Sequence, residues 1–205
     1  MDDHLDEKIL SIKEILLGTE EKAKQEEADE LEVMMDQIRD LEVTHNDLNL
    51  EMVQESLFNG KFKIYVPCEF VLMTPKQIKV KYPHDDRPLI VYMNKKNNIN
   101  ISVNHLPDEL SDDDVMELRN VMKQVHINVN PNEEILDEGG FKVSGKTIGY
   151  YAFTSAAIGG QMYNLMFITS FEETVLSCNL NCLMKESESL KLFFYGIMRT
   201  IEFTD

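Results

Sequence analysis

The sequence predicts an α+β fold, in which an antiparallel sheet with two packing helices follows an N-terminal α-helical arm. Composition changes near Asn59. Residues 1–59 contain one Gly, no Pro and a net charge of −13, whereas residues 60–205 contain eight Gly, six Pro and a net charge of −4. Apolar residues recur at helical spacing before this point and mostly alternate with polar residues after it. We therefore expect an acidic arm at 1–59, which is a possible coiled coil, and an α+β domain at 60–205.

The arm shows two helical patterns. The first repeats apolar residues at spacings of four, three and four, at Leu5, Ile9, Ile12 and Leu16. Gly18 interrupts this pattern. Thr19 is a suitable N-cap for a second helix, because its hydroxyl can accept a backbone N–H bond and the two Glu residues after it complement the helix dipole. We expect this second helix to continue to about Leu57.

The later part of the second helix carries a heptad repeat, which is typical of coiled coils. Its seam positions are Leu31, Met34, Ile38, Leu41, His45, Leu48, Met52 and Glu55, of which six are apolar. The seam is either covered within its own subunit, by residues 5–17 or by the β domain, or it binds a second copy or another protein. We favour self-association, which would make the protein a homodimer through the arm. His45 would then be a polar seam position.

After Gly60 the apolar period becomes that of β-strands. Strands are predicted at residues 62–66, 88–93 and 99–104. The first stops at Pro67, which cannot donate a ladder hydrogen bond. Asn97 and Asn98 separate the other two strands and favour a hairpin turn between them.

A helix is predicted to follow these strands. Ser111 is a good N-cap with Asp114 at the third helical position, and Asp112 and Asp113 complement the helix dipole. The predicted buried stripe of this helix is Val115, Leu118, Val121, Met122 and Val125.

Three strand-like segments and a final helix complete the chain. The segments span about 141–155, 161–170 and 173–183. In the last of them one face carries Leu176, Cys178, Leu180 and Cys182. The final helix begins near Glu186 and is predicted to bury Leu190, Phe193, Phe194, Ile197 and Ile201. Strands with one helix in the middle and one at the end indicate an α+β domain with an antiparallel sheet.

Several short segments of the second part resemble the PsbP-like fold group, which includes DcrB-like proteins. They are Phe-Lys-Ile-Tyr-Val-Pro at 62–67, Lys-Tyr-Pro at 81–83, and the segments 87–92, 100–103, 143–146, 149–153 and 163–167. The resemblance covers about 61–203 and lies in strand order and loose patterns. It implies a binding or chaperoning module without catalysis. The helical arm is no part of the family pattern.

One segment formally matches a nucleotide-binding motif. Residues 140–147 fit the phosphate-loop pattern G-x-x-x-x-G-K-[ST], which needs a buried strand before it and a helix after it. Residues 133–138 before the motif are a poor buried strand, and residues 148–153 after it are aromatic and strand-like. We therefore interpret the motif as a β-hairpin that turns at Ser144-Gly145.

No other pattern indicates catalysis, a metal site or a cofactor. Cys178 and Cys182 are four residues apart on one strand, about 13 Å, which is too far for both to bind one zinc ion. We expect them to be buried, unreactive thiols. His105 is in phase with Ile101 and Val103, which predicts a position at the rim of the core.

The net charge of −17 argues against nucleic-acid binding and against anionic membrane surfaces, because both need clustered Lys and Arg. An acidic protein remains suited to a basic protein partner. The first residues lack the pattern of a secretory signal, and three Cys without an export signal fit a reducing compartment. A cytoplasmic location is therefore expected.

These observations favour a non-enzymatic protein-binding adaptor or chaperone with a protein partner, in the context of bacterial secretion or a toxin–immunity pair. Two alternatives remain open. One is a small-ligand-binding domain, with a pocket lined by Tyr150, Tyr151, Tyr163 and Phe167, although these aromatic residues also fit a core. The other is a module of the same fold that regulates a GTPase.

Overall fold

A computed structural model describes residues 3–83, 85, 87–96, 98–157 and 160–204, with side chains from Gly18 onward except that of Glu20. The helices are α1 (Asp3–Arg39), α2 (Pro75–Lys81), α3 (Val115–Val129) and α4 (Ser187–Arg199). The strands are β1 (Glu42–His45), β2 (Leu48–Leu57), β3 (Phe62–Pro67), β4 (Val71–Leu72), β5 (Ile90–Met93), β6 (Ile99–Glu109), β7 (Ile135–Val143), β8 (Lys146–Ala157), β9 (Gly160–Phe171), β10 (Thr174–Leu183) and β11 (Glu202–Phe203).

The strands form two antiparallel sheets. The small sheet has the order β1-β2-β3-β11, and the large sheet has the order β4-β5-β6-β10-β9-β8-β7. Hairpins connect β7 through β10, so neighbours along the chain are neighbours in the sheet. The predicted α+β class with antiparallel pairing is confirmed.

The main core lies between one face of the large sheet, the small sheet and α4. On β10 the predicted apolar face is buried, at Leu176, Cys178, Leu180 and Cys182. The residues predicted to be buried near α4 are also inside, at Leu190, Phe193, Phe194, Ile197 and Ile201. Because side chains alternate along a strand, the opposite face of β10 carries Ser177, Asn179 and Asn181.

Helix α3 covers part of that opposite face, and its contact face agrees in part with the predicted stripe. Val115 is buried and Leu118 and Met122 pack beside it, whereas Val121 and Val125 are 52% and 54% exposed. The buried face runs instead through Arg119, which lies against β8 so closely that a Cβ on Gly149 would come within 3.0 Å of Arg119 Cβ. Glu138 accepts a hydrogen bond from Arg119, which allows the cation to lie inside the contact.

The start of α3 also differs from the prediction. The helix begins at Val115, and the Ser111 hydroxyl bonds the Asp114 carboxylate instead of capping a backbone N–H. Asp112 binds a different element: its two carboxylate oxygens accept from the N–H and the hydroxyl of Thr147 at 2.6 and 2.7 Å. Asp112 therefore ties the loop before α3 to the start of β8.

Replacing Asp112 with Asn is expected to lower the free energy of unfolding by roughly 1.5–3 kcal/mol, the cost of losing hydrogen bonds to a charged acceptor. Burial alone would raise the pKa of Asp112, but the bonds from Thr147 and the nearby Lys142 and Lys146 hold that pKa below its ordinary 3.8. The stabilisation that the ionised Asp112 carboxylate gives to the folded state is therefore complete above pH 3.8. It disappears as the pH falls through the lower pKa that Asp112 has in the folded state.

Urea unfolding of both proteins at several pH values measures this difference. The exposed neighbour provides the control, since Asp113→Asn should change stability by no more than about 0.5 kcal/mol. A destabilisation that does not depend on pH would contradict the assignment to the ionised carboxylate.

Helix α1 is one helix from Asp3 to Arg39, so the predicted break at Gly18 with a new helix capped by Thr19 is wrong, as is the predicted continuation to Leu57. Leu41 has a positive φ of 65°, and Asn46 has a φ of 49° in the loop between β1 and β2. A spacing of four, as between Leu48 and Met52, fits one face of a helix and also one face of a strand. The helix ends in the turn at Asp40-Leu41, and residues 42–45 and 48–57 then pair as strands on either side of the Asn46 turn and with β3.

The composition change at Asn59-Gly60 falls in a hairpin turn. Phe58, Asn59 and Gly60 all have positive φ, and β2 pairs with β3 on either side of them. The division of the chain into two domains at this point stays a prediction. What the structure shows is a direct ladder between Leu57 and Phe62 across the turn.

One predicted turn is confirmed, and one helix was missed. Ser144 and Gly145 have φ values of 48° and 79°, as a tight hairpin requires. Glu172 and Glu173, between β9 and β10, also have positive φ, at 51° and 61°. The missed helix is α2. Its signal was present, because Thr74 and Gln77 form a capping box around a Pro at the first helical position.

Candidate functional site

The seam residues at the end of α1 lie in the protein's own core. Met34 and Ile38 are fully buried against α4, where a Cβ on Gly196 would come within 2.7 Å of both side chains. Only a glycine allows two helices to cross this closely. Leu31 is partly buried beside them. The end of α1 is therefore fixed to the domain.

The other seam residues leave the helix, so a single helical stripe from Leu31 to Met52 does not exist. Leu41 lies in the turn after α1 and is 44% exposed. His45 ends β1, Leu48 begins β2, and Met52 is buried on β2. Whether any of these residues contacts a partner protein stays a prediction.

The segment that matches the phosphate loop is a β-hairpin. Residues 140–143 end β7 and residues 146–147 begin β8, so no helix follows the motif. Thr147 donates its hydroxyl to Asp112. The interpretation as a hairpin turning at Ser144-Gly145 is confirmed.

The two strand cysteines are buried free thiols. Burial raises the pKa of the Cys178 thiol, and burial together with Glu186 raises that of Cys182 to about 12. Both are therefore protonated at neutral pH and are poor nucleophiles. Cys68 is exposed. Within the described part of the chain, no three His, Cys, Asp or Glu side chains are grouped as a metal site would need.

The four aromatic residues proposed to line one pocket are divided between the two faces of the large sheet. Tyr150 pairs with Phe167 on the core face, and Tyr151 pairs with Met166 on the face covered by α3. Tyr151, Tyr163 and Phe167 are buried core residues. Only Tyr150 borders an open space, which lies under α1.

This space, the arm cleft, is a groove of about 470 Å³ between α1 and α4. Its floor is formed by Asp137, Tyr150, Tyr195 and Arg199. Its wall on the α1 side includes Glu27, Glu30 and Leu31. A second groove of about 570 Å³ separates the other side of α1 from the turn between β7 and β8. Helix α1 therefore stands away from the domain over several turns before its end is buried.

The floor of the arm cleft is a hydrogen-bonded cluster around Asp137. The Tyr195 hydroxyl donates to Asp137. Burial raises the pKa of Tyr195, and the nearby Tyr163 and Asp137 raise it further. Burial and Asp137 also raise the pKa of Tyr150. These phenols stay protonated at neutral pH, so they donate hydrogen bonds and do not act as bases.

Arg199 closes one side of this cluster. Its guanidinium lies 3.7 Å from the centre of the Phe141 ring, a cation–π contact. Burial lowers the pKa of Arg199, but Tyr150 and Tyr195 act in the opposite direction. An arginine remains charged under these conditions. The floor thus presents one cation, one carboxylate and neutral phenols, which is an arrangement suited to binding polar groups.

The sequence pointed to Tyr150 in this cluster and missed its other members. Asp137 lies on β7, a segment that had been judged a poor strand, and its alternation with Leu136 and Glu138 gave no functional signal. Tyr195 and Arg199 lie on one face of α4, at the i, i+4 spacing of ordinary helix neighbours. Only the packing of α4 against β7 and β8 brings them together.

Comparisons with known proteins show similarity at the level of the fold. No family model matches the sequence, and no curated protein matches it significantly. The solved structure of cyanobacterial PsbP (CyanoP) from Synechocystis sp. PCC 6803 has a TM-score of 0.56 and 10% identity, and the match covers 80% of this chain and 99% of that one. The fold is therefore PsbP-like, as the sequence resemblance implied.

Two weaker structural similarities were also found. LpqN, described as involved in cell envelope biogenesis of Mycobacterium tuberculosis, has a TM-score of 0.48 and 15% identity over 83% of this chain and 96% of its own. The T6SS immunity protein TplEi from Pseudomonas aeruginosa has a TM-score of 0.41 and 14% identity, over 56% of this chain and 43% of its own. In the described part of the chain, no helix has both the length and the apolar character needed to cross a bilayer.

Proposed function

We propose that the protein is a non-enzymatic adaptor or chaperone of the cytoplasm that binds a basic surface of a partner protein along α1. One observation carries this proposal: α1 is fixed to the core at one end, whereas every side chain from Glu21 to Glu30 is exposed. Most of the stability of a helix in a protein comes from tertiary packing. A helix that exposes three turns beside open grooves is therefore suited to contact another molecule.

The charge of the exposed turns defines the partner. Residues 21–32 contain six carboxylates and two lysines. The structure shows one internal ion pair here, in which Lys22 Nζ lies 3.6 Å from Glu26 Oε1. Gln25 also donates to Asp29 at 2.7 Å. Most of the acidic charge on this face is therefore directed to solvent, and it would attract a surface rich in Lys and Arg.

The arm cleft supplies the second part of the contact. A side chain that reaches past Glu27 and Glu30 enters a groove whose floor holds Asp137 and the hydroxyls of Tyr150 and Tyr195. The Asp137 carboxylate and the two phenol oxygens can accept hydrogen bonds, which a lysine or arginine of the partner requires because its side chain has only donors. The partner would thus be attracted at long range by the carboxylates along α1 and held at short range by the polar groups of the arm cleft.

Charge reversal tests the proposal. The triple variant Glu26→Lys, Glu27→Lys, Glu30→Lys should lose the specific partner in co-purification from the native cell, because it reverses the sign of the binding face. Binding of the unchanged protein should also weaken as salt is raised, since salt screens exposed charges. Quantitative mass spectrometry of the bound proteins gives the measurement.

A matched control variant has the same net charge as the triple variant of α1. Asp108→Lys, Glu109→Lys, Asp113→Lys changes three exposed acids far from α1 in sequence and should retain the partner. If both triple variants lose the same proteins, the attraction is due to net charge alone and the proposal fails. It fails equally if the unchanged protein recovers no protein that depends on the α1 acids.

A further inference from the structure

The edge of the large sheet at β7 differs from the other sheet edges. Among the strands that the structure describes, β7 has nine residues and no neighbour on its outer side. The edge strands β4 and β11 have two residues each. On the edge strand β1 the N–H of Thr44 donates to Gln37 Oε1 at 3.1 Å. Short or capped edges resist further pairing, so β7 is the edge on which an added strand can pair.

Two hydrogen bonds show which residues of β7 direct their main chain away from β8. In an antiparallel ladder, opposite residues alternate between pairs that exchange both hydrogen bonds and pairs that exchange none. Thr147 lies opposite Lys142 but donates its N–H to Asp112. Glu138 donates its N–H to Asp137 Oδ1 at 2.8 Å. Lys142 and Glu138 therefore belong to the pairs without ladder bonds, and their main-chain groups face the open edge.

Gly140 lies between these two positions, so its N–H and C=O face the open edge as well. Its exposure agrees with this direction. Met116 occupies the space where a side chain would lie, yet Gly140 is exposed, whereas Gly149 directly opposite it on β8 is buried. The exposed surface of Gly140 is therefore main chain. Among the described residues, the N–H and C=O groups of Gly140 and Lys142 have no partner.

A groove borders this edge, and we call it the edge groove. It is the space of about 570 Å³ between α1 and the end of β7. Its lining includes both Phe141 and Lys142, which point to opposite faces of β7, and no residue of β8, so it lies beside the strand. Charges of both signs line it, and its apolar lining residues are Ala28, Leu31, Met35, Phe141 and Val143.

We propose that the edge of β7 binds an extended segment of a partner protein as an additional strand of the large sheet. The main chain of the segment bonds the free groups of Gly140 and Lys142. Side chains alternate along a strand, so every second side chain of the segment enters the edge groove and is apolar there. In strand addition, main-chain bonds give affinity and pockets for alternate side chains give specificity.

A segment of another protein fits this edge better than a second copy of the chain does. Two β7 strands paired about a twofold axis would place both copies of α1 on the same face of the joined sheet. Because α1 borders the edge groove, the two helices would compete for the space above the edge. A single extended segment brings no such helix.

An uncharged peptide, acetyl-Ser-Val-Thr-Val-Thr-Val-Ser-amide, is the probe, and it is titrated into the full chain. Amide hydrogen exchange followed by NMR reports each N–H separately. Without peptide, the amides of Gly140 and Lys142 should exchange fast, while those of Gly139 and Phe141 are protected by their bonds to β8. Exchange at Gly140 and Lys142 should slow roughly tenfold when the peptide is at about ten times its Kd, because only the free protein exchanges.

Two N-methylated peptides separate main-chain bonding from side-chain contact. One carries N-methyl groups on its valines and the other on its threonines, so both keep the same side chains and no charge. A strand added to an edge uses the N–H groups of alternate residues. We therefore expect one of these peptides to bind and the other to lose binding.

Two variants at Lys142 test the protein side of the contact. Lys142→Pro removes an N–H that faces outward, a change that edge strands tolerate. It should weaken peptide binding roughly two- to tenfold, as expected for the loss of one main-chain hydrogen bond. Lys142→Thr keeps the N–H and should bind as the unchanged protein does. If Lys142→Pro does not fold, the N-methylated peptides still test the unchanged protein.

The inference goes beyond the proposed function, because the edge groove does not include Glu26, Glu27 or Glu30. The variant that changes these three residues to Lys should therefore bind the uncharged peptide normally, even though it is expected to lose the basic partner. The two proposals can thus fail separately. A loss of peptide binding in this variant alone would place the peptide on α1 and overturn the inference.

Three other results would overturn it. The first is unchanged exchange at Gly140 and Lys142 with millimolar peptide. The second is an equal response to the two N-methylated peptides. The third is protection of the same two amides without peptide that increases with protein concentration, since a second copy would then occupy the edge.

Discussion

Replacing Ile38 with Ala is expected to lower the free energy of unfolding by about 2–5 kcal/mol, because it removes a fully buried side chain and leaves a cavity between α1 and α4. Equilibrium unfolding in urea, followed by circular dichroism, measures the loss. If Ile38 instead lay on an exposed seam, its truncation would have little effect on the unfolding of a monomer.

Val33 provides the matched control for this prediction. It is an aliphatic residue of the same helix that is 59% exposed. Val33→Ala should change stability by no more than about 0.5 kcal/mol, as is usual for surface positions. Equal effects at Val33 and Ile38 would contradict the packing of α1 on α4.

Replacing Gly196 with Leu is expected to separate α1 from α4. Even a Cβ at this position would lie 2.7 Å from Ile38 Cδ1 and from Met34 Cγ, so a full leucine side chain cannot fit between the helices. Overpacking of a core typically costs about 1–3 kcal/mol, and more where backbones are close. The measured result should be a lower unfolding midpoint and faster tryptic cleavage at Arg39.

Gly18 is the control for the glycine prediction. It also lies within a helix, but no atom lies within 4 Å of a Cβ placed there. Gly18→Ala should therefore be neutral or stabilising by up to about 1 kcal/mol, the difference in helix propensity. Unchanged proteolysis of the Gly196→Leu protein at Arg39 would show that the two helices do not depend on this contact.

Much of the α+β part could be predicted because its signals are local. Alternation placed β3, β5, β6, β9 and β10, and the apolar spacing of α4 identified residues that are buried. Tight-turn residues such as Ser144-Gly145 have a specific backbone requirement, which makes hairpins readable from sequence. The PsbP-like order of these elements was likewise visible in short segments.

The arm was misread where two periods coincide. Spacings of four occur in a heptad and also along one face of a strand, so Leu48 and Met52 could not decide between helix and sheet. The turn at Asn46 was the deciding signal. In α3 the predicted stripe holds at Val115, Leu118 and Met122 but not at Val121 and Val125, because Arg119 pairs with Glu138 and takes a buried position. Such a pairing with a distant strand has no signature within the helix itself.

The arm cleft could not be read from the sequence for a related reason. It is assembled by the packing of a helix on a sheet, from residues that are ordinary alone. Asp137 looks like a polar position of a strand and Tyr195 like an ordinary helix residue, and only the packing of α4 places their side chains together.

The crossing of α1 and α4 has a consequence for how the chain is made. Met34 and Ile38 are synthesised well before Gly196, the surface that buries them, because the long sheet-forming segment lies between them in the sequence. Contacts between such distant segments form late, because the intervening chain must first be ordered. Until Gly196 has been made these apolar side chains have no native partner, and transiently exposed apolar surface promotes aggregation. The dense carboxylates of residues 20–32 sit immediately before them, and we expect their charge repulsion to oppose association of the growing chains.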